Sequence, residues 1–444
     1  MSASSVDFPT AEADWLGVRE AVDRIVGAAV PLDPVRLPLE RATGTVLAET
    51  VVARVDLPPW DNAAMDGYAV RSEDLDRFGA DGLVLPVDGE VRAGAPPRKA
   101  PPAGHAVRIM TGAPIPEGMD SVIRVEDTDR EAGAPGRVHI RTDRDRGRHV
   151  RPAGQDMRRG ADLLAPGDRL TAGRVGLLAA AGRDPVRVHP TPRVTLLPTG
   201  DELRRPEDFS DVADGLAIPE SNGPTLAALC REIGVAPTLL PPVPDDDTAL
   251  GDAVDGALTG SDVLVTLGGA SMGTADRVKP VLDTRGFRRE FWRVLMRPGS
   301  PFSFGWLPRE GAPDLAVFGL PGNPASAFVT FQVLVRPFLR RLAGRSDLHL
   351  PVLRASAAEP FPTHDRRTQF VRVRLAEDRE GRLTARSTGP QGSGLVHGLA
   401  LAQGLAVVPA GLAECPVGTP LDVLRLSLDD GVAQPGYQDR AEGT

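Results

Sequence analysis

A chain of 444 residues, 41% of them hydrophobic and 25% charged, is longer than one ordinary core and suits about two to four soluble domains. Its formal net charge of −9 argues against a general nucleic-acid binder, and no apolar run approaches the ~20 residues that span a bilayer. Two cysteines, Cys230 and Cys415, lie far apart without a CxxC spacing, so neither a zinc knuckle nor a disulfide framework is indicated and buried or inert thiols are expected.

The amino-terminal residues MSASSVDFPTAEADW carry acids and no basic flank before an apolar core, so no secretory signal and a cytoplasmic location are expected. Residues 15–29 set apolar side chains at helical spacing, and Pro31 and Pro34 end that helix. Residues 35–53 mix strand with a turn at Thr43-Gly44. The segment LPPWDNAAMDGYAV from Leu57 to Val70 has an order that core packing does not ask for, although a prolyl loop capping a helix through Asp61 is its plainer physical reading. Short strand-like pieces follow to His139, and Thr111-Gly112 ahead of Pro114 and Pro116 marks a loop able to aim Thr111 into a site. Residues 137–151 read as a basic, solvated turn region, and a polar loop then places Asp156 shortly after Gly154. A strand with turn over 163–170 and a short helix over 171–181 complete this half.

From about residue 188 strands and helices alternate, the pattern of an open α/β sheet. Strands are expected over 193–197, 238–243, 262–267, 291–297 and 315–318, and a long helix over 325–344. Ligands of open parallel sheets bind beyond the carboxyl ends of the strands. Pro-Thr-Gly-Asp201-Glu202, Asp245-Asp246-Asp247, the turn with Gly268, Gly269, Ser271 and Gly273, and Leu-Pro-Gly-Asn-Pro from Leu320 all fall there. Asp245 taken singly serves as well as a helix cap as it does a ligand. The glycine turn allows close backbone approach, and a helix expected from about Thr274 carries Asp276 and Lys279 on roughly one face; a plain turn with a solvated Asp and Lys is the bland alternative. The turn is neither GxGxxG nor GxxxxGK[ST], which disfavours a Rossmann or P-loop assignment. Acids at several loops suit a hard divalent ion, most simply Mg²⁺, and Arg285, Arg288, Arg289, Arg293 and Arg297 gather positive charge in an acidic chain, so a phosphorylated or tetrahedral oxyanion ligand is expected.

Expected domains are therefore residues 1–44 with 146–187 (mixed helical), 45–145 (inserted β subdomain), 188–345 (α/β), 346–428 (β, barrel-like) and a disordered tail over 429–444. The fold class is α/β plus β, multidomain.

DNAAMDGYAV, RIMTGAPIPEG, PTGDEL, ESN, GGASMGTADRVK, RPGSPFSFG and LPGNPASA occur in that order. Together, over about residues 10–428, they resemble the molybdopterin molybdenumtransferases, the family of bacterial MoeA and the carboxyl-terminal domain of gephyrin. The resemblance implies a homodimer of four-domain chains in which the partner's amino-terminal region completes a molybdopterin-binding α/β site. It implies the substrates molybdate and adenylylated molybdopterin, Mg²⁺-assisted release of AMP, and molybdenum insertion. It also implies the molybdopterin adenylyltransferase and molybdoenzyme apoproteins as partners, with neither nucleic acid nor membrane.

Carried over by motif, the functional acids are Asp61, Asp156, Glu202, Asp245 and Asp276, with Thr111 and Ser393 as loop contributors and the choice among Asp245 to Asp247 open by one residue. Glu202 and Asp276 are the best carboxylates for metal or pyrophosphate. Lys279, Arg293 and Arg297 would neutralise phosphate or molybdate, with Gly268, Gly269, Ser271, Gly273, Ser300, Arg372 and Ser393 as further binding positions. Where the family shows KPGKP, this chain has Arg297-Pro298-Gly299-Ser300-Pro301, exchanging one point donor for a planar fork and losing a second charge. That loss leaves a second expectation open, a non-catalytic paralogue that binds molybdopterin or partner enzymes as an assembly factor. A bare adenylyltransferase would need neither the amino-terminal β subdomain nor the carboxyl-terminal barrel.

Overall fold

The structure is a computed structural model and describes residues 15–268 and 277–426. These fall into two units, residues 36–188 and residues 15–35 with 189–426.

In the 36–188 unit, five strands form one sheet in the order Ser121–Arg124, Gly67–Val70, Ala106–Ile109, Leu83–Val91 and Arg137–Ile140. The strand Gly67–Val70 needs glycine at its first position: a Cβ on Gly67 would lie 1.9 Å from the carbonyl oxygen of Ile123. Arg137–Ile140, expected in a solvated turn, pairs antiparallel with Leu83–Pro86, because Val138 and Ile140 alternate inward while Arg137 and His139 do not. Asp145 anchors the chain beyond it, accepting from Arg124 Nε at 3.0 Å and meeting His149 Nε2 at 3.1 Å. The helix Ala172–Ala180 buries Leu178 in a second core with Ala42, Leu47, Val51, Leu170, Val186 and Val188.

The other unit is built on a six-stranded sheet ordered Thr238–Leu239, Val194–Pro198, Val263–Leu267, Leu315–Leu320, Ser303–Leu307 and Arg288–Trp292. The first four strands run parallel, Ser303–Leu307 runs antiparallel to Leu315–Leu320, and Arg288–Trp292 runs antiparallel to Ser303–Leu307. Every residue of Val263–Leu267 and Leu315–Leu320 is buried, as continuous apolar runs covered on both faces require. Aromatics are scarce in this chain, yet Phe291, Phe302, Phe304, Phe318 and Phe338 gather here, with Phe304 stacked on Phe318 at 4.8 Å. The helix Val18–Ala28, expected beside residues 146–187, buries Ala21 and Ile25 in this same core.

Three expected elements differ in detail. The strand 238–243 stops at Leu239, and Val243 forms only a bridge to Thr199. The strand 291–297 breaks at Arg293, whose φ of 68° turns the chain between Arg288–Trp292 and Met296–Arg297. The long helix is interrupted by a π turn over Phe331–Val335 between Pro324–Thr330 and Arg336–Leu342. Pro337 explains this, since it has no N–H for the carbonyl four residues back and its ring needs the space.

The last segment closes into a barrel. Thr368–Glu377, Leu383–Ser387, Val352–Ala357, Pro420–Arg425 and Gly404–Val408 pair in turn, and the last returns to the first. Met296–Arg297 adds to it in parallel beside Thr368 and Gln369. The multidomain α/β plus β class, with its barrel, is as expected. Both cysteines are buried, and burial pushes the Cys230 thiol up to about 12, so it stays protonated and inert. Among the described residues no helix is long and apolar enough to cross a membrane.

Candidate functional site

In the α/β unit the parallel strands bring their carboxyl ends to one rim. Beyond Val194–Pro198 lie Thr199, Gly200, Asp201 and Glu202; beyond Val263–Leu267 lies Gly268; beyond Leu315–Leu320 lie Pro321, Gly322 and Asn323. Gly268 adopts φ of 116°, and a Cβ there would sit 2.9 Å from Thr199 Oγ1. Its N–H reaches Leu320 O at 3.1 Å, so the three loops are sewn together at a position only glycine fits. Asn222, at the start of the helix Asn222–Glu232, donates from Nδ2 to Gly322 O at 2.7 Å and ties a fourth loop in. Beside it Glu220 is buried, and burial raises its carboxyl pKa against a 2.7 Å hydrogen bond from the Gly223 N–H.

The three aspartates that follow the strand Thr238–Leu239 separate by role. Asp246 caps the helix Asp247–Gly260, accepting from Thr248 N and Ala249 N. Asp247 lies 3.6 Å from Arg277. Asp245 donates its backbone N–H to Asp201 Oδ1 at 3.0 Å, and its carboxyl pKa is raised, by burial first and then by the charges of Asp201 and Glu202. Asp245 is therefore the acid of the three that faces the rim's carboxylates. Among the described residues no group of three His, Cys, Asp or Glu forms a metal cage. Gly269, Ser271, Gly273 and Asp276 lie outside the described residues. Lys279 is exposed on the helix Val278–Thr284.

The expected cationic positions take distinct surroundings. Arg293 lies between two indoles, 4.1 Å from the Trp292 ring centroid and 4.6 Å from that of Trp15, and burial lowers its pKa. Arg297 is exposed at the end of its short strand. The Ser300 hydroxyl donates to Met296 O at 2.6 Å, closing the turn around Gly299. Arg372 is fully buried; Nη2 donates to Pro390 O and Gly392 O, while Nε and Nη1 have no hydrogen-bond partner among the described residues. Burial pushes its guanidinium pKa down. The loop it grips offers Ser393 O to the Ala325 N–H at 2.9 Å, so Ser393 stands at the Leu-Pro-Gly-Asn-Pro turn. Sequence spacing could not have joined these two segments.

In the 36–188 unit, Asp61 is no helix cap. It precedes the strand Asn62–Ala63, which pairs with Val150–Arg151, and its Oδ1 accepts from Ala153 N at 2.7 Å. Asp156 N donates to Leu57 O at 2.9 Å, so the loops carrying Asp61 and Asp156 are held as one. Gly112 N donates to Ala63 O at 2.8 Å, which brings the Thr111 loop to the same strand. Thr111 itself donates twice to Asp66, the second acid of the DNAAMDGYAV motif.

In the α/β unit a cavity of about 840 Å³ lies at the amino ends of the strands, between Arg193, Asp262, Trp306 and Phe338. In the 36–188 unit another of about 320 Å³ adjoins Asp66, Tyr68, Arg108 and Arg130.

Residues 16–182 match the family described as the MoeA N-terminal region (domains I and II), residues 195–341 a probable molybdopterin binding domain, and residues 354–426 the MoeA C-terminal region (domain IV). The chain is 36% identical to molybdopterin molybdenumtransferase 1 of Mycobacterium tuberculosis, over 92% of this chain and 99% of that one. It is 35% identical to the molybdopterin molybdenumtransferase of a Nostoc species, over 87% of each. A crystal structure of a molybdopterin biosynthesis MoeA protein from Pyrococcus horikosii superposes with a TM-score of 0.74 at 28% identity, over 93% of this chain and 99% of that one. With likeness running through all three regions and nearly end to end, the chain belongs to the molybdopterin molybdenumtransferase family.

Proposed function

We propose that this protein inserts molybdenum into molybdopterin, taking molybdate and adenylylated molybdopterin as substrates and releasing AMP. The observation that carries this reading is the rim, where Asp245 is held against Asp201 and Glu202 beside a glycine-only turn. Carboxylates clustered at strand ends, with the Asp245 carboxyl pKa raised by burial and by its neighbours' charges, suit a hard cation and the phosphates it neutralises. Water cleaves the phosphate–phosphate link: its oxygen bonds to one phosphorus, the bridging P–O bond breaks, and AMP and molybdopterin phosphate part. Molybdate and two protons then meet the dithiol, two oxygens leave as water, and two Mo–S bonds form.

Glu202 and Asp276 are the residues that would hold Mg²⁺, which when bound offsets charge on the phosphate oxygens. Asp245 supports that pair. Lys279 and Arg297 face phosphate or molybdate, and Ser393 supplies an oxyanion contact from the barrel side; Arg372, expected as a direct contact, is fully buried and grips the loop that carries Ser393. Arg293 is committed to its indoles and serves the loop between the two strands. In a homodimer, Asp61, Asp156 and Thr111 of one copy complete the site of the other. The molybdopterin adenylyltransferase is the partner that delivers substrate, molybdoenzyme apoproteins receive product, and the setting is the cytoplasm.

A second reading, the non-catalytic binder, draws on Ser300. Its hydroxyl closes its own turn, so that position offers neither charge nor a spare proton. Purified protein given Mg²⁺, molybdate and adenylylated molybdopterin decides between them. Stoichiometric AMP release with turnover is expected of the insertase, and tight substrate binding without AMP release means the binder.

A further inference from the structure

Asp66 immediately precedes the strand Gly67–Val70, and Thr111 stands two residues after the antiparallel neighbour Ala106–Ile109. A single oxygen, Asp66 Oδ1, accepts from Thr111 N at 2.7 Å and from Thr111 Oγ1 at 2.8 Å. The backbone behind Asp66 is fixed. Its carbonyl accepts from Val125 N at 3.1 Å, and Gly67 is pressed against Ile123 too closely for any Cβ. Both Thr111 hydrogen bonds, the backbone one most, hold the Asp66 carboxyl below its ordinary range, so it is ionised at neutral pH and can only accept.

A threonine hydroxyl has one proton and two lone pairs. With the proton committed to Asp66, the exposed Oγ1 turns lone pairs, and no proton, toward anything that approaches. We infer that Asp66 is a positioning residue that fixes Thr111 as a hydrogen-bond acceptor, and that the ligand group meeting Thr111 is an N–H or O–H donor or a cation. An anionic phosphate or molybdate oxygen is disfavoured there, by lone-pair repulsion and by the nearby Asp66 charge. On an adenylylated pterin the donors are ring and exocyclic N–H groups and ribose hydroxyls. The inference rests on the functional reading of Thr111 given above and assigns it the polarity that sequence motifs leave open.

Asp66→Ala removes the acceptor and frees the Thr111 hydroxyl proton to turn outward, whereas Asp66→Asn keeps an amide oxygen at the Oδ1 position that can still accept from both Thr111 N and Oγ1. In the full-length protein, Asp66→Ala and Thr111→Val are each expected to lower kcat/KM for AMP release about tenfold, the scale of one hydrogen bond to a reacting ligand, and Asp66→Asn should recover most of the Asp66→Ala loss. The double variant Asp66→Ala with Thr111→Val should be no worse than Thr111→Val alone. Multiplying losses in the double variant, or Asp66→Ala within about twofold of the parent, overturns the inference.

A second measurement needs no turnover. With ¹³C-labelled aspartate, the Asp66 carboxyl should titrate below the ordinary aspartate value and move part of the way back up in Thr111→Val. Failure to move overturns the inference even if AMP is released normally. A parent protein that releases no AMP, yet shows the expected carboxyl titration, refutes the insertase reading and leaves the Asp66–Thr111 polarity standing.

Discussion

Asp246 satisfies the first free N–H groups of its helix, Asp247 meets Arg277, and Asp245 is left among like charges. The division follows from helix geometry, since the residue just before the first turn is the one whose side chain reaches the N–H groups two and three positions on. A carboxyl whose pKa rises on folding weakens the fold once solution pH exceeds its unfolded value, so at neutral pH Asp245 costs stability. Asp245→Asn is therefore expected to raise or keep Tm at pH 7 while lowering AMP release by about 100-fold, the loss typical of a removed charge-stabilising group. A lowered Tm in a melting curve, or near-parental activity, counts against this role. Three consecutive acids look alike in sequence, so the open choice among them was physical: only the cap geometry separates them.

At the scale of elements, the segment 121–149 shows how polar contacts hold a loop-rich sheet. Asp145 is buried against Arg124 and His149, and although burial opposes its ionisation, the hydrogen bonds from those residues prevail and bring its carboxyl to about 2. A depressed acid pKa adds stability above the unfolded value of 3.8, and that stability is lost as pH falls toward 2. Asp145→Asn should flatten the acid limb of stability between about pH 4 and 2 and cost roughly 1–3 kcal/mol at neutral pH, as hydrogen bonds to charge imply. Acid titration followed by circular dichroism checks both. The strands here are legible in outline, but Arg137–Ile140 resembles a solvated turn in sequence because its arginine and histidine outweigh two alternating apolar residues in composition. The interrupted long helix has a similar cause, for Pro337 sits in an apolar periodicity strong enough to read straight through.

For the whole molecule, the insertase reading requires acids contributed by two copies. If Asp61 serves the partner's rim, Asp61→Asn and Asp245→Asn homodimers are each inactive, while a mixed dimer holds one intact site. Random mixing after reversible dissociation should then restore about a quarter of parental AMP release, as half the dimers are mixed and each has one of two sites. No recovery on mixing, with dimer exchange demonstrated by mass, would place both acids on a single copy.

The sequence by itself determined the α/β sheet, the all-β character of the terminal segment and the strand-end location of the acidic motifs. Each rests on local periodicity and on the rule that parallel strands present their carboxyl ends to one edge. Tertiary structure alone decided which side chains are committed elsewhere: Arg293 between Trp15 and Trp292, Ser300 to Met296, and Arg372 buried with two N–H groups lacking a partner among the described residues. It also decided that Asp66 orients Thr111 across 45 residues of chain. Such pairings follow from packing and hydrogen-bond satisfaction between distant segments, which no spacing along the chain encodes.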